Sequence, residues 1–197
     1  MYICKGKTRV VFVFPKLGLV FKLPMIRFLT SIALTKRNLQ RYFGGNPPLQ
    51  KEDMGDVKSY LFGGILKNWR EFIFYLKTRH PILQPTFFSL FGFFNIQLAG
   101  KEQVKEWGAI LSQATEILFD SNDDNPFFGS DNHHWMNPRN FSIDDGKLKM
   151  LDYGSKYTQK TIRSHGSIII ADFNPSYKYN EERYLEKYLA YKARRKI

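Results

Sequence analysis

The sequence predicts an α+β protein in which a small N-terminal antiparallel sheet precedes a helical half. Three observations carry that expectation. Short β-branched and aromatic runs occupy the N-terminus, helical periodicity dominates from residue 25 onward, and an Asp-Gly turn flanked by alternating apolar residues marks a hairpin at 141–153.

The first runs are 8–14 (TRVVFVF) and 19–23 (LVFKL), separated by Pro15-Lys16-Leu17-Gly18. They read as an antiparallel pair with a tight connection. Alternation sends Val20 and Lys22 to one face of the second strand and Phe21 and Leu23 to the other. Lys22 is thus a lone cation within an apolar strand. Its plainest use is at a sheet edge, with its ammonium in solvent.

Residues 25–43 read as a helix, with Ile26, Leu29, Ile32 or Ala33, and Leu39 recurring at helical spacing beside a basic face. Gly44-Gly45-Asn46-Pro47-Pro48 ends it. Between 49 and 65 the glycines at 55, 63 and 64 interrupt any long element. Helical spacing returns over 66–77, with Leu66, Trp69, Ile73 and Leu76 on the apolar stripe and Glu71 at its flank. There Glu71 has Lys67 and Tyr75 as surface partners.

Residues 86–98 predict one or two buried strands broken at Gly92. Residues 102–119 predict an amphipathic helix burying Val104, Trp107, Ile110 or Leu111, Ala114 and Ile117-Leu118. The acidic run 120–129 reads as loop and lacks the Gly and Glu spacing of a calcium loop. Residues 167–171 (SIIIA) read as a strand or buried turn. The stretch 180–196 predicts a terminal helix capped by Asn180, with early glutamates and a late cluster of Lys192, Arg194, Arg195 and Lys196 that suits the helix dipole.

Composition bounds the function. Of 197 residues 43% are hydrophobic, enough for a core in one domain or two packed lobes. Thirty Lys and Arg against 18 Asp and Glu give a net charge of +12, which favours phosphate-bearing partners: nucleotides, nucleic acid or an anionic surface. The single cysteine, Cys4, excludes an intrachain disulfide framework and a Cys-rich zinc site. Basic residues interrupt every N-terminal apolar run, and no stretch reaches membrane-spanning length, so a cytoplasmic protein is expected.

The hairpin at 141–153 holds the chemistry. Asn140 precedes its first strand and Asp152-Tyr153-Gly154 follows its second, so strand pairing brings Asn140 and Asp152 together. An amide oxygen and a carboxylate at strand ends suit Mg²⁺, a hard ion that takes oxygen ligands.

A lone strand Lys, a helix Glu, an Asn before a hairpin and an Asp-aromatic-Gly after it, in this order, resemble the protein-kinase-like fold. Its aminoglycoside- and lipopolysaccharide-kinase relatives are included in that resemblance. It covers roughly 8–155 and implies a two-lobed fold: 1–98 as N-terminal lobe with the antiparallel sheet, 99–197 as a reduced helical C-terminal lobe. It further implies that Lys22 holds the phosphates of ATP and pairs with Glu71, that Asn140 and Asp152 hold Mg²⁺, and that Gln97 to Lys101 form the hinge facing the adenine. Forty-nine positions separate Lys22 from Glu71, a gap the helix at 25–43 fills.

Two departures bear on activity. Only Lys5-Gly6-Lys7 stands where the family has a Gly-rich loop, ahead of the first predicted strand. The catalytic Asp position, five residues before the Asn, is Trp135, which cannot accept a hydroxyl proton. The expectation is therefore a pseudokinase or regulatory ATP–Mg²⁺-binding protein, with a nucleotide and a protein or anionic surface as partners. An active atypical phosphotransferase would use Asp131 or His134, with His133 in the family's histidine position. A basic nucleic-acid-binding protein, stacking bases on aromatics such as Trp69, Trp107 and Trp135, is the third alternative.

Overall fold

A computed structural model describes residues 1–6, 8–44, 51–121 and 132–194, the side chains of 38, 42 and 51–60 excepted. Gly45 to Gln50, most of the acidic loop, Asp131, Arg195 and Lys196 lie outside the described residues. The protein is mixed α/β with antiparallel sheets. It divides into two compact units, Met1–Leu76 with Pro85–Ala99, and Lys77–Gln84 with Gly100–Ile197.

Among its described residues the first unit is a five-stranded sheet with two α-helices. Its strands are β1 (Tyr2–Lys5), β2 (Arg9–Phe14), β3 (Leu19–Pro24), β4 (Thr86–Ser89) and β5 (Asn95–Leu98), in the order β1-β2-β3-β5-β4 and antiparallel throughout. The pair at 8–14 and 19–23 forms as expected, joined by one 3₁₀ turn over Pro15–Leu17. An additional strand, β1, precedes it, so Gly6 sits in the turn between β1 and β2 rather than ahead of the first strand. Exposure of all four β1 residues removes the alternation that would have revealed it in the sequence.

The sheet has opposite characters on its two faces. Cross-strand partners share a face, so Val20 with Gln97 and Lys22 with Asn95 line the buried one. The other carries Phe12, Phe14, Phe21 and Phe88; Phe21 lies edge-on to Phe14 at 5.2 Å and stacks on Phe94 at 5.3 Å. The strands at 86–98 are thus half-buried rather than buried. Thr86, Asn95 and Gln97 face inward, while Phe87, Phe88, Phe91 and Phe93 are exposed.

Helix α1 (Phe28–Phe43) starts three residues later than expected, leaving Ile26 ahead of it, and the predicted apolar stripe faces solvent: Leu29 is 82% exposed, and Ile26, Ile32 and Leu39 are each about half exposed. Helix α2 (Lys51–Thr78) runs unbroken through Gly55, Gly63 and Gly64. Gly64 is a packing residue there, not a breaker. A Cβ at this position would lie 2.2 Å from the Thr8 carbonyl oxygen and 2.8 Å from the Pro24 Cβ. The buried stripe of α2 is consequently Gly64, Asn68, Glu71 and Phe74, whereas Leu66 and Leu76 point outward.

Among the described residues the second unit holds a three-stranded sheet and four α-helices: β6 (Glu102–Gln103), β7 (Phe141–Asp144), β8 (Lys147–Met150), α3 (Ala109–Asp120), α4 (Asn132–Met136), α5 (Lys156–Ala171) and α6 (Glu181–Arg194). Helix α3 starts seven residues later than its periodicity suggests, because Glu102 and Gln103 pair with Ile143 and Ser142. Trp107 therefore lies outside the helix and is 65% exposed. Residues 167–171 end α5 instead of forming a strand. Thr158, Ile162, His165 and Ile169 give it a buried stripe that the run SIIIA alone does not display. The Asn180 cap forms as expected, its Oδ1 accepting from the Arg183 amide at 2.8 Å. Phe119 on α3 collects the rings of Tyr184, Tyr188 and Tyr191 from α6 at 5.2 to 5.6 Å.

Gly64→Ala is expected to destabilise the protein by about 1–3 kcal/mol, because the added methyl meets strand backbone that cannot yield as a side-chain tip does. Equilibrium urea unfolding measures it as a lowered midpoint, and an unchanged midpoint would contradict the close packing of α2 on β2 and β3.

Candidate functional site

In the first unit the predicted Lys and Glu meet. Lys22 on β3 and Glu71 on α2 form an ion pair through Nζ and Oε1, with side-chain exposures of 4% and 0%. The lysine is therefore not an edge residue with its ammonium in solvent, and Glu71 is not a surface partner of Lys67 or Tyr75. The second Glu71 oxygen, Oε2, accepts from Arg9 Nη1 of β2 at 2.8 Å.

Asn68, one helical turn before Glu71, completes the cluster. Its Oδ1 accepts from Arg9 Nη1 at 3.2 Å, and its Nδ2 donates to the carbonyls of Lys22 and Gly92 at 3.1 and 3.0 Å. Asn95 Nδ2 in turn donates to the Asn68 carbonyl at 2.8 Å. A buried carboxylate needs paired charge and hydrogen bonds to offset its desolvation, and here two cations on adjacent strands supply them. Arg9 and Asn68 were not anticipated. Their signal was a polar i, i+3 pair, Asn68 and Glu71, on a helix whose leucines point away.

In the second unit the hairpin forms with the expected register: Phe141 opposes Met150, and Asp144 opposes Lys147. Asp145 at φ 53° and Gly146 at φ 73° supply the two left-handed residues of a tight type I′ turn. The Leu151 amide donates to the Asn140 carbonyl at 2.7 Å, so the ladder reaches Asn140 and stops one residue short of Asp152. Tyr153 is fully buried, and its hydroxyl donates to the Gln84 carbonyl at 2.6 Å. That anchors the residue following Asp152.

Asn140 is held by its amide nitrogen, which donates to the His134 carbonyl at 3.0 Å and lies 3.4 Å from His134 Nδ1. Fixing the nitrogen in this way leaves Oδ1 as the group that Asn140 presents to a ligand. Two oxygen-bearing residues are a sufficient protein contribution for Mg²⁺, which keeps several waters and takes further oxygens from phosphates. Among the described residues no group of three or more His, Cys, Asp or Glu is placed to hold a metal.

Comparison of the chain with protein-family models, with curated proteins and with solved structures gave no match.

Trp135 is a core residue. It is fully buried on α4, with its ring 5.5 Å from that of Phe141. His133 is exposed, and its ring centre lies 4.4 Å from that of the buried His134. Asp131 lies outside the described residues. Of the hinge candidates Gln97 is buried on β5, while the Lys101 amide donates to Asp144 at 2.8 Å and its ammonium pairs with Asp145 at 2.7 Å.

One other buried acid, Glu116 of α3, is accounted for structurally. It accepts from the Tyr177 hydroxyl at 2.5 Å and Arg183 Nε at 2.9 Å. Burial, then this acceptor, push the Tyr177 phenol well above its ordinary range. Of the tryptophans proposed for base stacking, Trp135 is buried, Trp69 packs beside Phe72 and Phe91, and only Trp107 is largely open to solvent.

Glu71→Ala is expected to cost about 3–5 kcal/mol, because it strands two buried cations. Lys22→Met should cost clearly less, since Arg9 remains to pair with Glu71. Chemical denaturation of both variants checks the order, and equal losses would contradict the three-residue cluster. Trp135→Asp should lose about 3–5 kcal/mol from removal of a buried ring, without any gain in phosphate transfer.

Proposed function

We propose that this chain is a protein-kinase-like pseudokinase: it binds ATP with Mg²⁺ and acts through the bound state or a protein partner rather than by phosphate transfer. The observation that carries the reading is the buried Lys22–Glu71 pair. In protein kinases the phosphate-holding lysine stands on the third strand and pairs with a glutamate of the following helix. Lys22 stands on the third strand of an antiparallel sheet, and its partner is a helix glutamate 49 residues away, ahead of β4.

The second unit adds support of a different kind. Asn140 stands at the end of the hairpin ladder and Asp152 one residue beyond it, in the order in which kinases arrange their two metal-binding residues. In this reading Lys22, oriented by Glu71, is the phosphate-neutralising residue of the first unit, and Asn140 and Asp152 are the residues of the second that would hold Mg²⁺. Bound Mg²⁺ would supply charge neutralisation between phosphate groups.

What the chain lacks is a general base at the usual place. Trp135 has no proton acceptor, and its ring is committed to packing on Phe141. One observation favours an active enzyme as the second reading: the His134 imidazole stands beside the Asn140 amide, within reach of the proposed metal ligand.

Thermal denaturation with and without Mg²⁺ and ATP tests both. Nucleotide at 100 times its Kd should stabilise the fold by about 2.7 kcal/mol, and Lys22→Ala and Asp152→Ala should each remove most of that gain. No shift in the wild type at saturating nucleotide would overturn nucleotide binding. With radiolabelled ATP no transfer is expected. Transfer that His134→Ala abolishes would replace the pseudokinase with a working phosphotransferase.

A further inference from the structure

The positive charge of this protein is concentrated at one end. Ten Lys and Arg and no Asp or Glu precede Glu52, so the first 51 residues carry nearly all of the net +12. The rest of the chain is almost balanced. Helix α1 lies in this acid-free stretch and also exposes large apolar side chains. Phe28 is 63%, Leu29 82%, Ile32 49%, Leu39 52% and Phe43 80% exposed.

At 3.6 residues per turn these five side chains fall within an arc of about 100°. The face of α1 turned inward is marked by buried Ser31, whose hydroxyl donates to the Arg27 carbonyl at 3.1 Å. Exposed Lys36 falls within this arc, between Phe43 and Leu29, and exposed Arg37 lies about 80° beyond its edge. Phe28, Ile32 and Leu39, with Leu61 of α2, also line a shallow groove of about 330 Å³.

We infer that α1 is a docking face for an anionic lipid bilayer, lying in the headgroup layer with Phe28, Leu29, Ile32, Leu39 and Phe43 inserted. An apolar arc joined to a basic and polar face on the same helix is the pattern of an interfacial helix. No helix among the described residues is long and apolar enough to cross a membrane, so the contact is with its surface.

Charge decides against the other occupants. A second copy would set one acid-free helix against another, with like charges facing. A nucleic acid would satisfy the basic residues but leave five large apolar side chains in water. An anionic bilayer answers both features, since basic residues near its surface are attracted while apolar ones enter the acyl boundary. The inference does not depend on nucleotide binding, and its readout contains no nucleotide.

Co-sedimentation with vesicles of phosphatidylcholine alone, and of phosphatidylcholine mixed with phosphatidylserine, tests it. The wild type should bind the mixed vesicles, bind the neutral ones far more weakly, and release on added salt. Leu29→Glu with Phe43→Glu, and separately Lys36→Glu with Arg37→Glu, should each weaken binding roughly tenfold or more. All four positions are exposed, and an unchanged circular dichroism spectrum and melting temperature confirm that the variants fold.

Failure to bind mixed vesicles, or binding that the Leu29/Phe43 variant retains, overturns the inference. So does a dimer, seen by sedimentation equilibrium, that this variant dissociates, because the face then belongs to a second copy. Retention of a single-stranded oligonucleotide in place of vesicles, lost only in the Lys36/Arg37 variant, assigns the face to nucleic acid and overturns it equally.

Discussion

The first unit depends on a carboxylate buried where no water reaches it. Removing an ionised glutamate from water costs several kcal/mol, and Glu71 recovers this only because each of its oxygens meets a cation. Those cations come from different strands, Arg9 from β2 and Lys22 from β3, so satisfying the charge also fixes the rotation and height of α2 against the sheet. Asn68 makes the placement specific. All three of its side-chain contacts are to groups that exist only when strand, helix and the turn at Gly92 are assembled. Gly64 permits the approach and the charges direct it. A hydrophobic contact of similar area would hold the helix but would not choose one rotation so sharply.

The second unit solves a similar problem with backbone. The β7–β8 hairpin extends its hydrogen bonding to Asn140, and the Tyr153 hydroxyl on the Gln84 carbonyl holds the chain immediately after Asp152. Both proposed metal ligands therefore sit next to residues that cannot move without breaking buried hydrogen bonds. Such support is what a functional pair needs if its geometry is to be ready before a ligand arrives.

Trp135 is committed to packing. An aspartate at this fully buried position would have to be desolvated. An indole turned inward adds a large ring to the core against Phe141 instead. The indole that fills this space offers no proton acceptor, and exchanging it for aspartate would remove the packing.

Much of the site was legible in the sequence because its signals are local. Asp145-Gly146 between alternating residues dictates a hairpin, and a hairpin necessarily joins its own ends, which set Asn140 beside the approach to Asp152. The alternation of 19–23 likewise separated Lys22 from Phe21, and Asn180 announced its helix. Nonlocal packing decided the rest. Whether Gly64 breaks a helix or lets one approach depends on what lies opposite, and here that is Thr8 and Pro24, some 40 to 56 positions away. Whether Glu71 is a surface residue or a buried anchor depends on Arg9 and Lys22, which no helical period can reveal. The leucines of α1 and α2 form stripes in the sequence yet face solvent, because a periodic pattern records which residues share a face and not what that face meets. Sequence alone thus determined the elements and the hairpin's ends. Tertiary structure decided which faces were buried, because burial is a relation between distant segments.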